Sequence, residues 1–199
     1  MKKIMCAAIM FGVLASGCAS EMTIPSRTTR VMPDEEDRLG GTGIESTDVL
    51  AASRKMAESI LNVPEIVKAQ GLPRIAVLAV RNSSRFVIDQ DIFTTKIRAE
   101  LNKNARDKVR FLARERIDDI LKEREAKRQG LVTASKEADL LGVDFYLTGE
   151  IKGIAKATMG SRSDYILMVF QLIDTETSDI VWEDSYEVKR VGIAGVAYQ

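Results

Sequence analysis

The side chains that most often carry chemistry at neutral pH are scarce in this 199-residue chain. There is no histidine, which removes the commonest general base, the commonest zinc ligand, and every Ser-His-Asp or Cys-His mechanism. The two cysteines are Cys6 and Cys18, so everything beyond position 18 lacks a thiolate nucleophile, a disulfide and a cysteine metal site. Carboxylates remain. Asp118 and Asp119 are neighbours, and neighbouring residues on a helix point about 100° apart, so they do not make a ready acid/base pair. Together with Asp89 and Asp91, they read as solvated surface acids. Gly40-Gly41-Thr42-Gly43 has no strand before it and no Lys-Ser/Thr pair after it, as a phosphate-cradling loop would require. The run Asp34-Glu35-Glu36-Asp37 lacks the alternating spacing of a calcium loop. No catalytic residue, cofactor site or metal site is expected, and the reading is of a protein that binds something without being an enzyme.

Charge narrows the partners. Lys and Arg number 29, as do Asp and Glu, and this balance argues against a nucleic-acid footprint. Apolar residues make up 45% of the chain, enough for one compact core.

The N-terminus has a purpose of its own. Lys2 and Lys3 precede an apolar stretch from Ile4 to Leu14, far shorter than the roughly 20 residues a membrane-spanning helix needs. The stretch runs into Leu14-Ala15-Ser16-Gly17-Cys18, which resembles the lipobox read by lipoprotein signal peptidase, with Leu14 one place early. Residues 1–17 are therefore expected to be a removable signal and Cys18 the lipidated first residue. Ala19 stands where an aspartate would signal retention in the inner membrane, so the expected location is the outer membrane, with the domain facing the periplasm. Burial of acyl methylenes at about 0.8 kcal/mol each makes multiple chains a stable anchor.

Residues 18–45 read as a polar flexible tether, and 46–199 as one globular domain. A first helix is expected from near Thr47-Asp48, with Val49, Ala52, Met56 and Ile60 on one face, until Pro64 stops it. Ile75 to Val80 is an unbroken apolar run, as in a central strand covered on both faces. Phe93, Ile97 and Leu101 mark a second helix, and Val109 to Leu112 a short strand. Arg114 to Arg128 keeps Ile117, Ile120 and Leu121 at helical spacing, with Arg114/Asp118 and Glu123/Lys127 four apart on a charged surface helix. A short helix is expected over Ser135 to Leu141. Strands follow over Phe145 to Ile154, Tyr165 to Asp174 and Ile180 to Val188, the last two joined by the turn Thr175-Glu176-Thr177-Ser178. The class is α/β (α+β), a single mixed β-sheet with helices packed on it.

Several segments in a fixed order resemble the penicillin-binding protein activator LpoB family. They are Arg74-Ile75-Ala76-Val77 followed by Asn82, Ile88-Asp89, Thr95-Lys96-Ile97-Arg98-Ala99-Glu100-Leu101 and Gln129-Gly130-Leu131-Val132. Then come Gly142-Val143-Asp144-Phe145-Tyr146-Leu147-Thr148-Gly149-Glu150-Ile151, Leu172-Ile173-Asp174-Thr175-Glu176-Thr177 and Ile180-Val181-Trp182. The resemblance spans roughly Ile75 to Arg190. It implies an outer-membrane lipoprotein that docks on a bifunctional penicillin-binding protein and stimulates glycan polymerisation and cross-linking, with no small-molecule substrate. The 27 residues from Ala19 to Glu45 depart from the long tether of the best-known members, since they reach at most about 95 Å extended and about 30 Å as a coil. A partner would have to extend outward.

Arg81, Arg85, Arg162 and Tyr165 lie in or beside expected loops and are the candidate partner contacts, Arg and Tyr being favoured at interface hot spots. Asn82, Asp89, Asp144 and Trp182 read as turn-closing or packing residues. The alternative to an activator is a structural or assembly lipoprotein of the envelope, secretion-associated and homo-oligomeric, which stable self-association would favour.

Overall fold

The computed structural model describes residues 31–36, 41–133 and 139–193. The chain divides into two compact units, Met1–Val31 and Met32–Gln199. Of the first, only Val31 is among the described residues, so the expected signal and Cys18 lie outside them. The second unit holds every described helix and strand.

Its element order is α1 (Ser46–Ile60), α2 (Pro64–Val67), β1 (Arg74–Val77), β2 (Arg81–Asn82), α3 (Ile92–Asn104), β3 (Arg110–Phe111), a 3-10 turn (Arg114–Arg116), α4 (Ile117–Arg128), β4 (Phe145–Thr158), β5 (Ser161–Asp174) and β6 (Ile180–Ile193). The described residues form one six-stranded mixed sheet in the order β3-β1-β4-β5-β6, with β2 also pairing to β4. Strands β1, β2, β3 and β4 pair in parallel, and β4, β5 and β6 pair antiparallel. This is the expected mixed sheet.

α1 begins with a reciprocal cap between Glu45 and Asp48, which satisfies backbone donors that helix geometry leaves open. It lays Ala52, Met56 and Ile60 onto the sheet, and α3 adds Phe93, Ile97 and Leu101; all are buried with Leu147, Ile151, Ile166, Met168, Phe170 and Leu172. The Phe93 and Phe170 rings meet at 5.8 Å between centroids, tilted by 48°. Trp182 packs at the margin of this core and donates its indole N–H to the Ser59 hydroxyl at 2.9 Å, so it joins β6 to α1.

The strands differ in length from expectation. β1 stops at Val77 instead of Val80, because after Leu78 N–H donates to the Leu147 carbonyl the Thr148 hydroxyl takes the Ala79 carbonyl in place of a ladder bond. Ile75 and Ala76, which point to opposite faces, are both buried, as a central strand requires. β4, β5 and β6 run longer than expected, to 14 residues each. β4 and β5 meet in a two-residue turn, Met159-Gly160, where Gly160 has φ +81°, a value that favours glycine. The ladder thus carries through residues whose small, polar side chains show no alternation.

Two further expectations change. Arg114 lies in the 3-10 turn ahead of α4 and donates to the Leu141 carbonyl, whereas the Glu123–Lys127 pair forms at 3.4 Å. Of the helix expected over Ser135 to Leu141, residues 134–138 lie outside the described residues, and Asp139 to Leu141 are not helical.

β6 ends the sheet, and the middle of its open edge is covered. The Asp184 carboxylate accepts the Ser185 N–H at 2.7 Å, while the Lys55 ammonium donates to the Ser185 carbonyl at 2.6 Å and to Asp184 at 2.8 Å.

Candidate partner-binding surface

The four candidate contacts do not form a single patch. β5 alternates, so its even-numbered residues from Asp164 to Leu172 face the core and its odd-numbered residues face the other side of the sheet. Arg162 falls on the first set and Tyr165 on the second. Arg81 sits on β2, in register with Glu150 of β4. Arg85 follows in the loop after β2.

Arg85 and Arg162 converge on Asp164, a residue that sequence reasoning did not single out. Its carboxylate, 1% exposed, accepts hydrogen bonds from Arg85 Nε and Nη2 at 3.1 and 2.8 Å and from Arg162 Nε at 2.8 Å. The Thr42 hydroxyl donates to the same carboxylate. Burial alone would raise the Asp164 carboxyl, but the hydrogen bonds from Arg85, Arg162 and Thr42 outweigh it and hold the group well below the usual carboxylate range. The Arg85 guanidinium also lies 4.3 Å above the Phe86 ring centroid, a cation–π contact. One signal for Asp164 was present: an acid standing in step with Ile166, Met168, Phe170 and Leu172 is directed inward, and a buried charge must be paired.

A second ionic node lies beside it. Arg190, opposite Asp164 on β6, donates to Asp48 at 2.7 and 3.0 Å and to the Gly43 carbonyl at 2.8 Å, with Glu45 at 3.4 Å. The hydrogen bonds from Arg190 to Asp48 raise the guanidinium further against the cost of burial. Residues 41–45, which the sequence assigns to the tether, are therefore held on the domain, and Thr42 is buried.

On the opposite face the Tyr165 phenol is raised by burial and by its hydrogen bond to Glu187. Arg81 lines a polar groove of about 470 Å³ with Ala79, Thr148, Glu150, Lys152, Gln171 and others. Within it Glu150 pairs with Lys152 at 2.9 Å and accepts the Ser83 hydroxyl at 3.0 Å. The Lys152 hydrogen bond, then that from Ser83, lowers the Glu150 carboxyl. Glu150 is thus committed to a cation and a hydroxyl.

Asn82, Asp144 and Trp182 have structural roles. Asn82 accepts the Ser84 N–H at 2.9 Å and donates to the Phe86 carbonyl at 2.7 Å, closing the loop that presents Arg85. Asp144 accepts Arg74 N–H at 2.8 Å and Nε at 2.9 Å, and these bonds lower its carboxyl. Among the described residues no group of three His, Cys, Asp or Glu side chains could hold a metal, and no helix is long and apolar enough to cross a membrane.

The family described as peptidoglycan-synthase activator LpoB matches residues 48–188. No curated protein sequence matches the chain. Among solved structures, the LpoB C-terminal domain from Salmonella enterica is similar at 15% identity and a TM-score of 0.43, over 71% of this chain and 98% of that one. A lipoprotein from Neisseria meningitidis is similar at 15% identity and a TM-score of 0.39, over 60% of this chain and 83% of that one.

Proposed function

This chain belongs to the peptidoglycan-synthase activator LpoB family, and on that premise we propose that it is an outer-membrane lipoprotein, anchored through Cys18, that binds and activates a bifunctional penicillin-binding protein. The family match over residues 48–188 carries this reading. It takes in the whole core and every candidate contact. The absence of histidine supports a regulator that acts by contact.

Arg81, Arg85, Arg162 and Tyr165 are proposed to meet the partner, in two roles. Arg81 and Tyr165 present polar groups over apolar stems. Arg85 and Arg162 are fixed in place by Asp164, so little side-chain freedom would be lost on docking. This division decides how the contact must be tested. Reversing the charge of Arg85 or Arg162 would set a new carboxylate against a buried one and disturb the fold, whereas Arg81→Gln and Tyr165→Ala leave Asp164 paired.

The experiment is reconstituted glycan-strand synthesis by the bifunctional penicillin-binding protein of the same cell, with and without this chain. Acceleration that falls several-fold with Arg81→Gln or Tyr165→Ala, at unchanged thermal stability, is the expected result. No acceleration and no binding, with self-association of the purified chain instead, would replace the activator reading with that of an envelope-assembly subunit.

A further inference from the structure

The outer part of the antiparallel sheet is a bare ribbon. From Lys152 to Thr158 every residue of β4 is exposed, and its outer stretch Ile154–Thr158 pairs with Ser161–Tyr165 of β5, which pairs in turn with Lys189–Ile193 of β6. Its face opposite the core displays three cross-strand rows: Ile154–Tyr165–Lys189, Lys156–Ser163–Val191 and Thr158–Ser161–Ile193. Ile154 is 61% exposed, Val191 72% and Ile193 81%, and Met159 at the turn is fully exposed. Apolar side chains gathered at one protruding end mark an interaction surface.

Charge is segregated there too. Residues 152–167 and 187–193 contain Lys152, Lys156, Arg162, Lys189 and Arg190 against two acids, the buried Asp164 and the exposed Glu187. Asp164 neutralises Arg162, Asp48 neutralises Arg190 and Glu150 neutralises Lys152. Lys156 and Lys189 have no ion-pair partner among the described residues. In a chain with equal numbers of acids and bases, this end offers exposed cations and apolar groups, and the exposed acid bordering it, Glu187, is hydrogen-bonded to Tyr165.

The described start of the domain runs along this end. Gly41 and Thr42 run against Gly192 of β6, where the Thr42 methyl stands 3.2 Å from the position a Cβ would take. Farther back, the Pro33 carbonyl accepts the Ser46 hydroxyl at 2.8 Å. The chain therefore joins the domain at the ribbon end, and the 15 residues from Cys18 to Met32 reach at most about 50 Å fully extended.

We infer that the β4–β5–β6 ribbon is a docking surface for an anionic lipid bilayer, with Met159, Ile154, Val191 and Ile193 entering the headgroup region and Lys156 and Lys189 facing lipid phosphates. Basic and apolar side chains on one surface element are what interfacial binding uses. The inference rests on the lipoprotein reading, which puts a bilayer within reach. Lipid-docked and partner-engaged domains would then be alternative states, because Arg162 and Tyr165 belong to the same ribbon.

The test is co-sedimentation of the chain lacking residues 1–17, with Cys18→Ser so that no acyl group is attached, with phosphatidylglycerol–phosphatidylethanolamine vesicles and with phosphatidylcholine vesicles. The expected result is preferential, salt-sensitive binding to the anionic vesicles. Lys156→Gln and Lys189→Gln should each weaken it about fivefold, and Met159→Ser should weaken it further. No binding, equal binding to both vesicles, or variants that bind as the parent does would overturn the inference. So would variants that keep vesicle binding but lose a purified penicillin-binding protein, since the ribbon would then be a protein-docking surface. The assay contains no acyl chain, so its outcome is separate from the anchoring reading, which the intact mass of the native protein tests.

Discussion

The same three strands, β4, β5 and β6, live in two environments. Their inner halves carry Leu147, Ile151, Met168, Phe170 and Leu172 beneath α1 and α3; their outer halves, beyond about Lys152, Asp164 and Arg190, have no helix to cover them and end at a fully exposed methionine. The backbone ladder is continuous across both. Burial therefore sets what the side chains must be, while strand length is set by the ladder and by where a tight turn can close it.

The contrast can be broken most forcefully at Phe170, whose ring is fully buried against Phe93. Phe170→Ala should cost about 3–5 kcal/mol, read as a lowered denaturant midpoint, and a small loss would mean the inner half is not the stabilising one. Gly149 comes next: a Cβ there would lie 2.6 Å from the Val169 carbonyl oxygen and 2.7 Å from the Phe170 ring, so Gly149→Ala should cost about 1–3 kcal/mol. At the boundary between the halves, Asp164→Asn should cost about 1 kcal/mol at neutral pH, since the half-exposed arginines are partly screened. The sign with pH follows from the depressed folded-state carboxyl. Its contribution is full above the unfolded value of about 4 and fades as the pH falls below it, so parent and variant stabilities should converge in acid. Smallest of all, Gly153→Ala in the outer half meets only ordinary contacts at 3.5 Å and should shift stability by less than about 0.5 kcal/mol; equal effects at Gly149 and Gly153 would erase the distinction.

Legibility in the sequence divides along the same line. α1, α3, the central position of β1 and the β5–β6 hairpin were legible because apolar spacing or turn residues announce burial and reversal locally. The Asp174 carboxylate that accepts the Glu176 and Thr177 N–H groups at 2.8 and 3.0 Å belongs to such a local signal. The outer ribbon was not legible, because Ala155, Ala157, Ser161 and Ser163 show no alternation to the eye. The Asp164 node escaped for another reason: its partners Thr42 and Arg85 are far away in sequence, and only the folded sheet brings them together. Both causes meet at Arg162, which lies within β5 with only Ser161 between it and the Met159-Gly160 turn.

The paired side chains over Ser185 have a bearing on how the molecule behaves at high concentration. A fourteen-residue edge strand, on which alternate residues turn N–H and C=O outward, would be a template for another chain's strand, and templates of this kind seed fibres. Lys55 and Asp184 interrupt that template near its centre, leaving runs too short to register firmly with a neighbour. Two surface charges that contribute nothing to the core thereby oppose runaway polymerisation of the folded protein.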